Sequence, residues 1–202
     1  MLKRILIPLP LVVGLAATFA CADATEDCLS SSGAVAIAGC TEVIQRNPAD
    51  GNAYLLRGLS RRVVGELDGA IADYSKTIEL EPSSNKAYYN RGNAYLAKRE
   101  YDHAILDYGK AIELNPEDAN AYTNRGVAYI EKRDYDRSIA DSSRAIELNP
   151  NDSDPYHNRG IAYEGKKEYD RAIADYRSAL AIAPDFLDCK DRLKRLRAVP
   201  DH

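Results

Sequence analysis

Between residues 86 and 116 the chain alternates between a buried-type face and a polar face at helical spacing, twice, with one break. Ala87, Tyr88, Arg91, Gly92 and Tyr95 fall on one face, which predicts a helix from Lys86 to Lys98. Ala104, Ile105, Tyr108, Ala111 and Ile112 fall on another, which predicts a second helix from Asp102 to Leu114. Asp102 then lies in a first turn, where a carboxylate suits the positive end of the helix dipole. Pro116 ends the second helix, because the residue before a proline avoids helical geometry. Connections of two to four residues make such neighbours antiparallel.

The whole pattern returns every 34 residues. Pro82, Pro116, Pro150 and Pro184 close successive copies, and Pro48 stands one period before the first. A fixed period of this size means stacked copies of one two-helix unit, here bounded as 51–84, 85–118, 119–152 and 153–184. Residues 23–50 read as a degraded earlier copy. Ala36-Ile37-Ala38 and Ile44 align with Ala70-Ile71-Ala72 and Ile78, while the first helix is shortened and rich in serine. After the last copy, Phe186, Cys189, Leu193 and Leu196 recur at helical spacing among charged residues. That predicts a solvating cap helix and tail over 185–202.

Positions that repeat within the molecule have mechanical readings. Gly58, Gly92, Gly126 and Gly160 are expected to face Ala70, Ala104, Ser138 and Ala172. Small against small lets two helices approach at the close end of the usual range of about 8–10 Å. Tyr54, Tyr88, Tyr122 and Tyr156 supply bulk in the first helix, and Tyr74, Tyr108 and Tyr176 in the second. Ser142 breaks that second series and predicts a looser third unit.

Tyr88, Gly92, Tyr95, Ala104, Tyr108, Ala111 and Pro116 together resemble the tetratricopeptide repeat (TPR) pattern, and the match covers residues 51–184. The resemblance implies an all-α fold: a right-handed solenoid of helix-turn-helix repeats with an N-terminal partial repeat and a C-terminal capping helix. One departure stands out. Where the family often has leucine before the glycine, this chain has Arg57, Arg91, Arg125 and Arg159. Asp73, Asp107, Asp141 and Asp175 recur at a fixed offset in the second helices. Each arginine is expected to pair with the aspartate of its own unit as a semi-buried rung, since an unpaired buried charge is costly. A solvated charged face is the alternative.

The resemblance also implies which positions face the concave groove of the stack. In the first unit these are Asn52, Leu55, Leu56, Leu59 and Arg62; in the second, Lys86, Tyr89, Asn90, Asn93 and Leu96. Asn120, Thr123, Asn124, Val127 and Ile130 follow in the third, then Asp154, His157, Asn158, Ile161 and Glu164. Asn90, Asn124 and Asn158 form a ladder of amides that suits an extended peptide backbone, with Leu55, Leu59, Leu96, Val127 and Ile130 taking apolar side chains. Asparagine at this place serving only helix packing is the other reading. The lysines by which some TPR domains clamp a chaperone's acidic tail are missing, and Asp154 opposes a carboxylate.

Composition adds an address. Lys3 and Arg4, the apolar run Ile5–Ala17 and small residues up to Ala22 have the layout of a secretory signal peptide over 1–22. That leaves no membrane span after cleavage. Lipid attachment at Cys21 is the alternative, although Thr18-Phe19-Ala20 departs from the residues that precede a lipoprotein cysteine. Export places the chain in the periplasm of a bacterial-type envelope, where Cys28 and Cys40 are expected to pair. Closing that short loop contributes about 2–3 kcal/mol in the chain-entropy account. Cys189 is left over, expected buried as a small hydrophobe.

The formal charge of −4, or −6 without Lys3 and Arg4, argues against a nucleic-acid partner. The 14 tyrosines all lie inside the four copies. Three histidines and single spaced glycines make no triad, zinc site or phosphate loop, so no catalysis, metal or cofactor is expected. The sequence reads as a monomeric, exported scaffold that binds a protein or peptide in its groove. A self-assembling structural module, or a lipoprotein tethering a partner enzyme, is the alternative.

Overall fold

The computed structural model describes residues 24–29 and 33–197, so the expected signal peptide and Cys21 lie outside the described residues. Regular structure among those residues is entirely helical. A helical segment over 24–29 (α1) leads into α2 (Ala34–Arg46). Four antiparallel pairs follow: α3 (Gly51–Val63) with α4 (Leu67–Leu80), and α5 (Asn85–Ala97) with α6 (Tyr101–Leu114). Then come α7 (Ala119–Glu131) with α8 (Tyr135–Leu148), α9 (Ser153–Gly165) with α10 (Tyr169–Ile182), and finally α11 (Leu187–Arg197). The first helix of each pair is called A below, the second B.

Local chemistry sets the helix ends. Asp50, Asp118 and Asp152 cap α3, α7 and α9 by accepting from backbone N–H groups of the first turn. At the other end of α5, α7 and α9 stands a left-handed residue, Arg99, Arg133 or Lys167, with φ near +60°. The next residue then donates back five positions, as Glu100 does to the Tyr95 carbonyl at 2.9 Å. This closes each A helix and turns the chain within three residues into helix B.

Each A helix packs on its own B helix and on the B helix before it. Successive A helices also touch, α3 with α5, α5 with α7 and α7 with α9, whereas no contact of comparable extent joins successive B helices. The stack therefore curves with the A helices on the inside, as a right-handed α-solenoid. Its core is a row of small residues and tyrosines: Ala70, Ala87, Ala104 and Ala121 with Tyr74, Tyr108 and Tyr176 are fully buried or nearly so.

Gly126 has the expected Ser138 beside it, its carbonyl 3.7 Å from where a methyl would stand, but the group nearest the other three repeated glycines is an aromatic ring. A methyl group at Gly58, Gly92 or Gly160 would meet the ring of Tyr74, Tyr108 or Tyr176 at 2.6, 2.9 and 2.5 Å. Glycine is required there because the buried tyrosine of helix B lies flat across helix A. In the third unit that ring is absent, and the nearest group to Gly126 is the Ser142 hydroxyl at 3.3 Å. Helix α9 comes into wider contact with α7 than the other A helices make with one another. Ser138 and Ser142 are left fully buried with unpartnered hydroxyls.

Both ends of the stack are closed by incomplete units. Cys28 and Cys40 form a disulfide, both buried, that fastens α1 onto α2. Helix α1 lies so close that a methyl at Gly39 would meet the Ala24 carbonyl at 2.8 Å. At the far end, α11 carries buried Cys189, Leu193 and Leu196 into a cluster with Ala172, Tyr176 and Ala179 of α10. Cys189 and Leu196 stand one period after Pro155 and Ala162 and are buried in the same way. The capping helix α11 thus stands where the A helix of a fifth unit would stand.

Candidate functional site

Among the described residues the inner face of the A helices forms an extended concave surface. Its rim is set by Asn52, Lys86, Asn120 and Asp154, all exposed near the A-helix N-termini. Further in, Leu55, Leu56, Leu59, Leu96, Val127 and Ile130 are half-buried, each keeping some surface in solvent. Two expected groove residues are not available. Thr123 is 7% exposed and donates to the Ala119 carbonyl of its own helix at 2.9 Å. Asn158 is 8% exposed, covered by the close packing at the end of the stack. The three asparagines therefore do not form an open ladder: Asn90 donates to the Lys86 carbonyl at 2.8 Å, and Asn124 reaches into the preceding unit.

That reach builds a network at the middle of the groove. Asn93 Oδ1 accepts from the Tyr108 hydroxyl at 2.8 Å and from Asn124 Nδ2 at 2.9 Å. Asn124 Nδ2 also donates to the Tyr89 hydroxyl at 3.1 Å, and the Tyr89 and Tyr108 rings lie 6.0 Å apart. Burial pushes the Tyr108 hydroxyl well above the usual phenol range, so it stays a donor.

At the C-terminal end, α11 supplies the partners. His157 Nε2 lies 2.6 Å from Asp188 Oδ2 and its ring 4.6 Å from that of Phe186. Glu164 accepts from the Tyr176 hydroxyl at 2.7 Å and from Arg192 Nη1 at 2.9 Å. Burial raises Asp188, but hydrogen bonds from Arg192 and then His157 outweigh it and hold the carboxyl below its ordinary value. His157 and Ile161, expected to await a partner, are here engaged by the chain's own last helix. At the N-terminal end, Leu55 and Leu59 pack on Ala70, Tyr74 and Ala94. Burial pushes the Tyr74 hydroxyl up to about 12, opposed by the charge of Arg62 beside it.

Behind the groove, the arginines preceding the glycines bond to the aspartates in two-point fashion. Arg57 meets Asp73 at 2.9 and 2.7 Å, Arg91 meets Asp107 at 2.8 and 2.8 Å, and Arg125 meets Asp141 at 2.7 and 2.8 Å. Arg159 meets Asp175 at 2.8 and 2.8 Å. All four aspartates are buried, and the hydrogen bonds that Arg91, Arg125 and Arg159 donate to Asp107, Asp141 and Asp175 hold those guanidiniums above the ordinary arginine value. Tyr54, Tyr88, Tyr122 and Tyr156 lie over the four guanidiniums at 5.5–5.9 Å.

Sequence reasoning missed that these rungs also join units. Arg57, Arg91 and Arg159 each donate a third bond, to Thr41, Ser75 and Ser143 of the preceding B helix, at 3.0–3.1 Å. Gly109 stands at that position before Arg125. A second unit-to-unit series runs along the exposed edge, Lys98 to Asp68, Lys132 to Asp102 and Lys166 to Asp136. The signal was present in both cases as a hydroxyl or a charge recurring every 34 residues. Among the described residues no cluster of His, Cys, Asp or Glu could hold a metal ion, and no helix is long and apolar enough to cross a membrane.

Two-helix units stacked at a constant period, with an inner groove, define an α-solenoid repeat protein. The chain belongs to the tetratricopeptide repeat family: the family model matches residues 86–118, 119–152 and 153–186, and a TPR repeat model matches 64–99. No match is found among curated proteins. A crystal structure of MamA is similar at 29% identity and TM-score 0.71, covering 76% of this chain and 90% of that one. The Arabidopsis OM64 TPR domain is 31% identical at TM-score 0.56, over 56% of this chain and 94% of that one. The first TPR of Spaghetti (RPAP3), bound to the HSP90 peptide SRMEEVD, is 26% identical at TM-score 0.55 and covers 56% and 90%.

Proposed function

We propose that this chain is a protein-interaction scaffold of the cell envelope, which holds a segment of a protein partner along the A helices of its first three complete units. The observation that carries this reading is the half-covered apolar surface running across those helices, through Leu59, Leu96, Val127 and Ile130. Apolar side chains left partly in water and aligned from unit to unit gain by burial against a partner. The similar Spaghetti TPR, bound to a peptide, supports a peptide or protein as that partner. Export to an oxidising compartment fits the buried Cys28–Cys40 disulfide and the signal-peptide pattern of residues 1–22. No covalent step is part of the proposal, and the working form is a monomer.

Site-specific photo-crosslinking in envelope extract tests this. A photoreactive residue replacing Leu59 or Val127 on the inner face should trap a discrete partner, and one replacing Lys110 on the outer face should not. Equal trapping from both faces would remove the groove from the function. Mass spectrometry of the mature N-terminus decides between cleavage after Ala22 and a lipid on Cys21, and light scattering at two concentrations checks the monomer.

A further inference from the structure

Arg62 differs from the other arginines of the inner face. Those before the repeated glycines are paired with aspartates, and Arg192 is paired with Glu164 and Asp188. Arg62 is half-buried, yet among the described residues no carboxylate pairs with it. Its polar neighbour is the hydroxyl of fully buried Tyr74, and neither Arg62 Nε nor that hydroxyl makes a hydrogen bond of normal geometry with any other group. A half-buried guanidinium with a neutral phenol as its neighbour and no carboxylate is a cation left without its counter-charge. It points to an acid that arrives from outside.

The equivalent position one end further along shows what completes such a place. Glu164 lies three periods after Arg62, and its carboxylate is satisfied by Tyr176 from below and by Arg192 from the next A-type helix. In the first unit the position corresponding to Arg192 is Asn90. Its amide nitrogen is turned onto the Lys86 carbonyl of its own helix. The chain thus closes the ion pair at unit four and leaves it open at unit one.

Several of the groups left over nearby are donors. Asn93 Oδ1 is already filled by two hydrogens, from Tyr108 and Asn124, so Asn93 has only its own amide hydrogens left to offer. The Tyr89 oxygen accepts from Asn124, which leaves its proton free. The charge of Arg62 reaches the Tyr108 hydroxyl that anchors this network. Around these donors lie Leu55, Leu59 and the 69%-exposed Val63. The far end of the inner face carries Asp154, Asp188 and Asp191, which would repel an acid there.

We propose that the N-terminal half of the groove recognises a segment in which a carboxylate side chain sits among apolar residues, with Arg62 as the pairing charge. The inference rests on the groove-binding reading and adds to it both the chemistry of the ligand and its direction. The carboxylate lies at units one and two, and the rest of the segment runs toward unit three.

The test uses the full secreted chain and an array of nonapeptides with Glu, Gln or Lys at the centre and Leu, Val or Ala elsewhere. Wild type should retain Glu-centred peptides about tenfold better than Gln-centred ones, with Lys-centred ones weakest. Arg62→Gln should lose the discrimination while still holding apolar peptides, and Arg62→Glu should prefer Lys-centred ones. Circular dichroism establishes that both variants are folded. Equal retention of all three classes by wild type, or a Glu preference kept in Arg62→Glu, overturns the role of Arg62 and leaves the groove standing. Failure of wild type to hold any peptide removes both readings.

Discussion

The Arg91 guanidinium bonds twice to Asp107 in its own unit, at 2.8 Å each, and once to Ser75 Oγ in the unit before, at 3.0 Å. One side chain therefore fixes the angle between helices A and B and also the stacking of one unit on the next. Replacing Asp107 by Ala strands a guanidinium whose side chain is only 20% exposed. The expected loss is about 2–3 kcal/mol, below the range for a fully buried pair because part of Arg91 remains solvated. A urea unfolding midpoint unchanged from wild type would show that the pair contributes nothing.

Arg125 lacks the third bond because Gly109 occupies the position of Ser75 and Ser143. A methyl at Gly109 would have Arg125 Nη1 at 3.6 Å, so the site is open and a hydroxyl there falls within reach. Gly109→Ser should stabilise by about 1–2 kcal/mol, through one charged hydrogen bond and removal of a mid-helix glycine. Combining it with Arg125→Lys, which loses the fork geometry, should erase the hydrogen-bond share of that gain. Denaturant titration of the single and double variants reads both.

The same substitution at two equivalent glycines should have opposite signs. Gly92→Ala drives a methyl to 2.9 Å from the buried Tyr108 ring and should cost about 1–3 kcal/mol. Gly126→Ala meets the Ser142 hydroxyl at 3.3 Å and otherwise makes ordinary contacts with the Ser138 carbonyl and Asp141 Cβ at 3.7 and 3.8 Å, so it should be neutral or stabilising by up to about 1 kcal/mol from helix propensity. Thermal midpoints that fall equally in both would mean that the ring contact is not what selects glycine.

Docking of α11 should weaken in acid. The Asp188 carboxyl is held below its ordinary value in the folded chain. Its contribution is therefore complete above the unfolded value of about 3.9 and is lost as pH falls through the folded one. The stability difference between wild type and Asp188→Asn should be present at pH 6 and shrink toward zero below pH 3 or so, a range set by the same reference value. Amide exchange along α11, followed at both ends of that range, locates the loss.

How much of this could be read without coordinates differs from residue to residue. The helix pairs were legible because burial of one face imposes a 3.6-residue period, and stacking of equal units imposes a second period on top of it. Arginines and aspartates recurring together at a constant offset marked the rungs, since a charge kept at a buried-type position calls for a partner at the same repeat. Contact between specific side chains was another matter. Gly92 was matched to Ala104 by counting turns, whereas the ring of Tyr108, one turn on, is what lies across it. A count of turns places Cα atoms and says nothing of where a long side chain lies down.

Periodicity by itself therefore determined the stacked two-helix unit and the candidates for pairing, because each follows from repetition of one amphipathic pattern, while the resemblance to TPR repeats marked the inner face. Tertiary packing alone decided that Thr123 and Asn158 are covered, that Asn93 gathers Tyr108 and Asn124, and that α11 stands in the place of a fifth A helix. It also decided that Arg62 is left without the acid that Glu164 shows the site can hold in reverse. The physical reason is that hydrogen-bond valence is spent between units. What remains to bind a partner is known only once every neighbour has taken its share.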